Sequence, residues 1–96
     1  MTDLREEARG RECQIRIPGV CNFNPETSGL CHPRLAGLTG TGMKAPDVMG
    51  AIGCSACHDE VDRRTRTLET EFVRTCFYEG LMRTLAIWVR EGKVRW

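Results

Sequence analysis

The sequence predicts a small α+β domain with a metal-stapled core and a long C-terminal helix packed against it. Three observations predict this. Cys54-Ser55-Ala56-Cys57 forms a CxxC knuckle at the start of a helix-like run. Cys13 and Cys21 bracket a strand-and-turn pattern, and residues 68–91 repeat apolar side chains at helical spacing. Size agrees: 96 residues make one domain, and a core that small gains from a metal. The 41% apolar and 28% charged fractions are ordinary for a globular protein, whereas the 6% aromatic content implies a mostly aliphatic core. A net charge of +1 argues against a protein that coats nucleic acid but permits a local basic patch.

The elements follow in order. Residues 1–12 are a charged lead-in with a helical turn ending near Gly10. This stretch has no apolar core of a secretory signal, and no run approaches a membrane span, so a cytoplasmic protein is expected. Ile15 and Ile17 alternate with Gln14 and Arg16 as a short strand, and Pro18-Gly19 supplies a turn. Residues 22–30 form a loop, and Leu30-Cys31-His32 a second short strand. Residues 36–46, rich in Gly and Thr, read as a flexible loop containing Lys44. Residues 47–53 are an apolar approach to Cys54, and Ser55 caps a helix running through Asp59, Glu60 and Asp62. The C-terminal helix places Val73, Phe77, Leu81, Leu85 and Trp88 on one face, with Phe72, Cys76 and Val89 beside them. Gly80 divides it in two, and Trp96 ties back or frays the tail.

The six cysteines carry the chemistry. In a reducing cytosol they point to metal before disulfides. Two thiolates at CxxC spacing bind one ion, and a tetrahedral structural zinc needs two more ligands. Cys13 and Cys21, brought together by the turn at Pro18-Gly19, are the natural partners of Cys54 and Cys57. Three rivals are weaker. A c-type haem attachment through Cys54–His58 belongs to exported proteins and leaves four cysteines unexplained. A thioredoxin-like CxxC lacks its βαβ surroundings, and a disulfide framework conflicts with the compartment. Cys76 falls on the buried side of its helix as a small apolar residue.

His58 and Asp62 are four apart and share a helix face, where an imidazole and a carboxylate can hold a divalent cation for phosphodiester chemistry. The bland alternatives are a solvated acidic helix start, or His58 as a zinc ligand in place of a cysteine. His32, the only other histidine, follows the second strand and can take a proton from water as a general base. Arg34 next to it, and Arg63, Arg64 and Arg66 after the knuckle helix, fit DNA phosphates, or else form a basic turn balancing Asp59, Glu60 and Asp62.

These residues resemble a known family. A cysteine-flanked hairpin, a histidine at a strand end and a CxxCH opening a helix match the ββα-metal pattern of HNH endonucleases. CQIRIPGVCN, PET and CSACHD are similar to the small prophage-encoded YbcO-like nucleases over roughly residues 9–64. A more distant likeness is to the phage RecA-dependent HNH nuclease. The resemblance implies one HNH-like domain over 1–96, with a ββα-metal core at 9–64 and helical support at 65–96. It implies His32 as general base, His58 as ligand of a catalytic Mg²⁺ or other divalent cation, and Asp62 as a second ligand. Cys13, Cys21, Cys54 and Cys57 hold structural zinc. DNA is the implied substrate, a phage or host recombination protein a further partner, with no membrane association. The chain would be a monomer or a weak dimer through Trp88 and Trp96. Two positions depart from the pattern. Cys31 precedes the base where Asp or His often binds metal, and Met49 stands nine residues before His58 where the middle Asn belongs. Asp47 lies close enough in sequence to stand in for that Asn. The alternative is a non-catalytic zinc module that binds DNA or a protein.

Overall fold

The structure, a computed structural model, describes residues 3–33 and 46–94. The loop expected over 36–46 therefore lies outside the described residues except for Pro46, as do Arg34, Lys44 and Trp96. Helix α1 (Leu4–Ala8), strand β1 (Gly29–Cys31), strand β2 (Ala51–Gly53), helix α2 (Ser55–Val61) and helix α3 (Thr70–Arg90) follow in order. Short 3-10 turns occupy Pro25–Thr27 and Asp47–Met49. The two strands pair antiparallel, Gly29 opposite Gly53, Leu30 opposite Ile52 and Cys31 opposite Ala51. The result is a small α+β domain, as expected.

The strand expected from the Ile15–Ile17 alternation does not form. Gln14 donates its N–H to the Ile52 carbonyl at 2.8 Å, so the segment does lie along the edge of β2 that β1 leaves open. Arg16 then adopts φ 53, a left-handed conformation that a strand cannot carry, and the chain turns away. Ile15 and Ile17 are nevertheless buried, which is what their alternation with polar residues reported. The Pro18-Gly19 turn is present: Gly19 has φ 75, and the N–H groups of Val20 and Cys21 both donate to the Ile17 carbonyl. The second expected strand is β1, displaced by one residue. The apolar approach to Cys54 holds the 3-10 turn and β2.

Helix α3 is unbroken, so Gly80 does not divide it. The reason for the glycine is a crossing: a Cβ there would lie 2.7 Å from Ile15 Cα and 2.9 Å from the Gln14 carbonyl oxygen. Both are backbone atoms that cannot step aside. Gly80→Val is therefore expected to cost at least about 2 kcal/mol through overpacking. Urea titration checks this, and an unchanged midpoint would contradict the close approach. The same contact resets the buried face of α3. Val73, Cys76, Phe77, Gly80, Thr84 and Trp88 are buried, Leu81 and Leu85 only partly, and Phe72 and Val89 are exposed, contrary to expectation. Thr84 faces β2: its Oγ1 accepts from Ile52 N–H at 3.0 Å while donating to the Gly80 carbonyl at 2.8 Å.

The core has two parts. One gathers the six cysteines with Ile15, Ile17, Ala51, Val73 and Phe77; the other joins Leu4, Ala8, Leu30, Ile52 and Trp88. Helix α3 contributes to both. Arg11 closes the second part: its guanidinium forks onto Glu91 at 2.7 and 2.8 Å and lies 5.1 Å above the Trp88 ring centroid. Among the described residues, no helix is long and apolar enough to cross a membrane.

Candidate metal centre

Cys13, Cys21, Cys54 and Cys57 converge so that their sulfurs all lie within 4.8 Å of one another. The Cys54 and Cys21 sulfurs are 3.8 Å apart. A tetrahedral zinc with bonds of about 2.3 Å sets its sulfurs ~3.8 Å apart, so the spacing fits that ion. Local geometry prepares the sulfurs for negative charge. Cys54, and not Ser55 as expected, caps α2: its sulfur accepts the Cys57 N–H at 3.4 Å and the Asn22 N–H at 3.5 Å. Cys13 Sγ accepts the Arg16 N–H at 3.4 Å. Arg16 and Phe23, which follow the two isolated cysteines, both have positive φ, 53 and 55. Such strain in non-glycine residues concentrates where a site demands it.

Three of these thiols perturb one another. A hydrogen bond from Cys57, aided by the Arg16 N–H and opposed by burial, lowers the Cys13 thiol to about 4. That same bond and burial push Cys57 up, while burial and the Cys13 charge push Cys21 to about 11. One thiolate thus suppresses ionisation of its neighbours. A divalent cation at the centre would let all four ionise, because ligands bind as thiolates. Cys31, fully buried, is not in the cluster, and burial raises its thiol well above the ordinary range.

His32 and Asp47 meet at one end of the hairpin. His32 follows β1 directly, Asp47 opens the turn before β2, and His32 Nε2 lies 2.7 Å from Asp47 Oδ1. The other Asp47 oxygen is 3.5 Å from Arg5 Nε of α1. With Nε2–H donating to the carboxylate, Nδ1 is the nitrogen left to accept a proton. On α2, His58 Nε2 lies 3.1 Å from Asp62 Oδ2, as the four-residue spacing predicts. Helix α2 packs against β1, the strand that His32 follows. Among the described residues the four cysteines are the one group of three or more potential metal ligands.

The arginines divide. Arg63 donates to the Leu68 carbonyl at 3.2 Å and approaches Glu60 at 3.6 Å; Arg64 pairs with Asp59 at 3.1 Å and Asp62 at 3.5 Å. Arg66 is exposed.

Glu60 was missed by sequence reasoning. Fully buried, it accepts from Thr65 Oγ1 at 2.6 Å, Leu68 N–H at 2.9 Å and Thr67 N–H at 3.3 Å, fixing the segment that carries the arginines. Its position three residues after buried Cys57 was the available signal, since both share a helix face. Burial alone would raise its carboxyl, but these hydrogen bonds and the Arg63 charge outweigh burial and hold it below the ordinary value. A depressed carboxyl adds stability present above the unfolded value of about 4.3 and lost as pH falls through the folded one. The stability gap between the wild type and Glu60→Gln should therefore be full at pH 7 and shrink below about pH 4. Paired melting curves at the two pH values check it; a gap independent of pH would count against the clamp.

Fold and site define the class: a small α+β domain built around a four-cysteine candidate metal centre. The family model described as "Putative nuclease YbcO" matches residues 2–93, and the chain belongs to this family. "Putative nuclease YbcO" of Escherichia coli (strain K12) is 59% identical over 95 residues, covering 99% of both chains. "Putative nuclease ybcO" of Enterobacteria phage 82 matches with the same identity and coverage, so a relative is carried by a phage. A solved structure, "Structure of a putative bacteriophage protein from Escherichia coli str. K-12 substr. MG1655", superposes with a TM-score of 0.81 at 51% identity. It covers 94% of this chain and 100% of that one.

Proposed function

We propose that this chain is a metal-dependent DNA endonuclease of the HNH, ββα-metal type with a structural zinc, acting in the cytoplasm. The observation that carries the reading is the 2.7 Å contact between His32 and Asp47. It supplies the orienting partner that Met49, in the position of the middle Asn, cannot. His32 takes the proton of the attacking water at Nδ1, and Asp47 holds the imidazole in the required tautomer. His58 and Asp62 present one nitrogen and one oxygen on the same helix face. A mixed imidazole and carboxylate set suits a divalent transition-metal ion such as Mn²⁺ better than Mg²⁺, which prefers oxygen ligands alone. The chemistry such a cation supplies is stabilisation of charge on the phosphate and the leaving oxygen. Cys13, Cys21, Cys54 and Cys57 hold zinc, with the 9–64 core resting on the helical support of 65–96. Arg66, together with Arg34, contacts the DNA backbone, and Arg63 and Arg64 do so by exchanging their internal partners for phosphate. The family names given above support a nuclease.

The second reading, a non-catalytic module that binds DNA or a recombination protein, draws on the internal pairing of His58 with Asp62 and of Arg64 with both acids. Incubating supercoiled plasmid with the purified protein separates the two. Nicking is expected with Mg²⁺ or Mn²⁺ and not without added metal. Binding without cleavage under every divalent metal would leave only the second reading.

A further inference from the structure

Beside the proposed catalytic residues lies a cleft of about 170 Å³ that the nuclease reading does not use. Its walls are Val61 at the end of α2 with Val73, Phe77 and Tyr78 of α3, and Pro33, next to His32, closes one side. Thr70, Arg63 and Arg74 complete the lining. Phe77 is buried and forms the floor, its ring in an edge contact with Tyr78 at 5.9 Å between centroids. Tyr78 is 44% exposed, so its ring is open to a ligand. Among the described residues Arg74 has no ion-pair partner, unlike Arg63 and Arg64.

We infer that this cleft is a subsite for one unpaired nucleobase, with its phosphate on Arg74 and Arg63. The inference rests on the nuclease reading and names a substrate class for it, DNA with a single-stranded or extruded nucleotide. Drug-sized ligands occupy pockets of roughly 300–1,000 Å³, so a cleft this small suits a single flat ring system. An aromatic wall open on one face stacks any base, and sequence-tolerant stacking beside cationic side chains is how single strands are held. A paired base cannot enter a concave site because it stays within its stack. Charge complementarity selects a nucleotide over an uncharged aromatic group, since two guanidiniums flank the apolar walls. The neighbouring His32 strand end places a nucleotide held here next to the proposed chemistry.

Fluorescence anisotropy tests this with the full-length, zinc-loaded protein and no added Mg²⁺ or Mn²⁺. The ligands are a labelled 15-nucleotide oligo-dT and a blunt duplex of equal length. The single strand should bind tighter. Tyr78→Ala should weaken it roughly 5- to 150-fold, the loss of one stacked base, Arg74→Ala should weaken it several-fold through loss of a phosphate contact, and each should change duplex affinity less than about twofold. Both side chains are exposed, and circular dichroism would confirm that the variants fold. Equal affinity for both DNA forms would overturn the subsite, as would variants that bind the single strand like wild type. So would a concentration-dependent dimer abolished by Tyr78→Ala, which would assign the cleft to a second copy. Tyr78-dependent single-strand binding by a protein that cuts nothing would sustain the subsite and remove the nuclease reading.

Discussion

Cys57→Ser is expected to abolish the folded domain at ambient temperature, with zinc content falling from one ion per chain to near none. The core leaves little else to hold the N-terminal half. Cys13, Cys21, Cys54 and Cys57 form the centre of the larger cluster, and β1 and β2 are three residues each. A two-stranded sheet that short has little stability of its own. A structural zinc contributes on the order of 10–16 kcal/mol in small zinc-dependent modules, comparable to the whole stability of a domain, ~5–15 kcal/mol. Cys57 also sits in α2 against Cys13, so a hydroxyl there removes one ligand and one wall of the site. The control is Cys76→Ala. Cys76 is equally buried but outside the group of four, so this variant should keep its zinc and melt cooperatively. Elemental analysis with circular dichroism reads both outcomes. A Cys57→Ser protein that keeps one zinc and its melting transition would show that the four cysteines are not the metal centre.

His32→Ala should lower the rate of plasmid nicking by roughly 10²- to 10⁴-fold, the usual contribution of a general base. Binding should persist, because His32 is not among the residues proposed to grip the backbone. Asp47→Asn should act through His32. It keeps the size of the side chain but weakens its hold on the Nε2 proton, and misplacing a catalytic group by even 1 Å costs about 100-fold. The expected pattern is a fall in turnover with little change in the DNA concentration for half-maximal rate, and no added loss when His32→Ala is already present. Additive losses would mean that Asp47 works independently of His32, for instance through Arg5 at 3.5 Å. Equal nicking by His32→Ala and wild type would remove His32 as the base.

The sequence made the site more legible than the backbone. CxxC spacing, the turn at Pro18-Gly19 and the i,i+4 relation of His58 to Asp62 are local, and the structure reproduces each. The expected strand at Ile15–Ile17 failed because alternation reports burial, and the left-handed Arg16 that ends the segment leaves no mark in composition. Gly80 read as a helix break because its reason is the backbone of residues 14 and 15, far away in sequence. That crossing also turned α3, burying Thr84 and exposing Val89. Glu60 was hidden among acids, since its partners at 65, 67 and 68 form only once the chain after α2 folds back. Asp47 was within sight of the middle-Asn position, and the structure places it on His32.

The proposed mechanism requires that the cysteines and the His58–Asp62 pair serve two different ions. Anomalous diffraction from crystals grown with zinc and soaked in Mn²⁺, recorded at both metal edges, tests it most directly. Zinc is expected among Cys13, Cys21, Cys54 and Cys57, and a separate manganese on His58 and Asp62. A single metal peak, or a zinc that takes His58 in place of one of the four sulfurs, would contradict it.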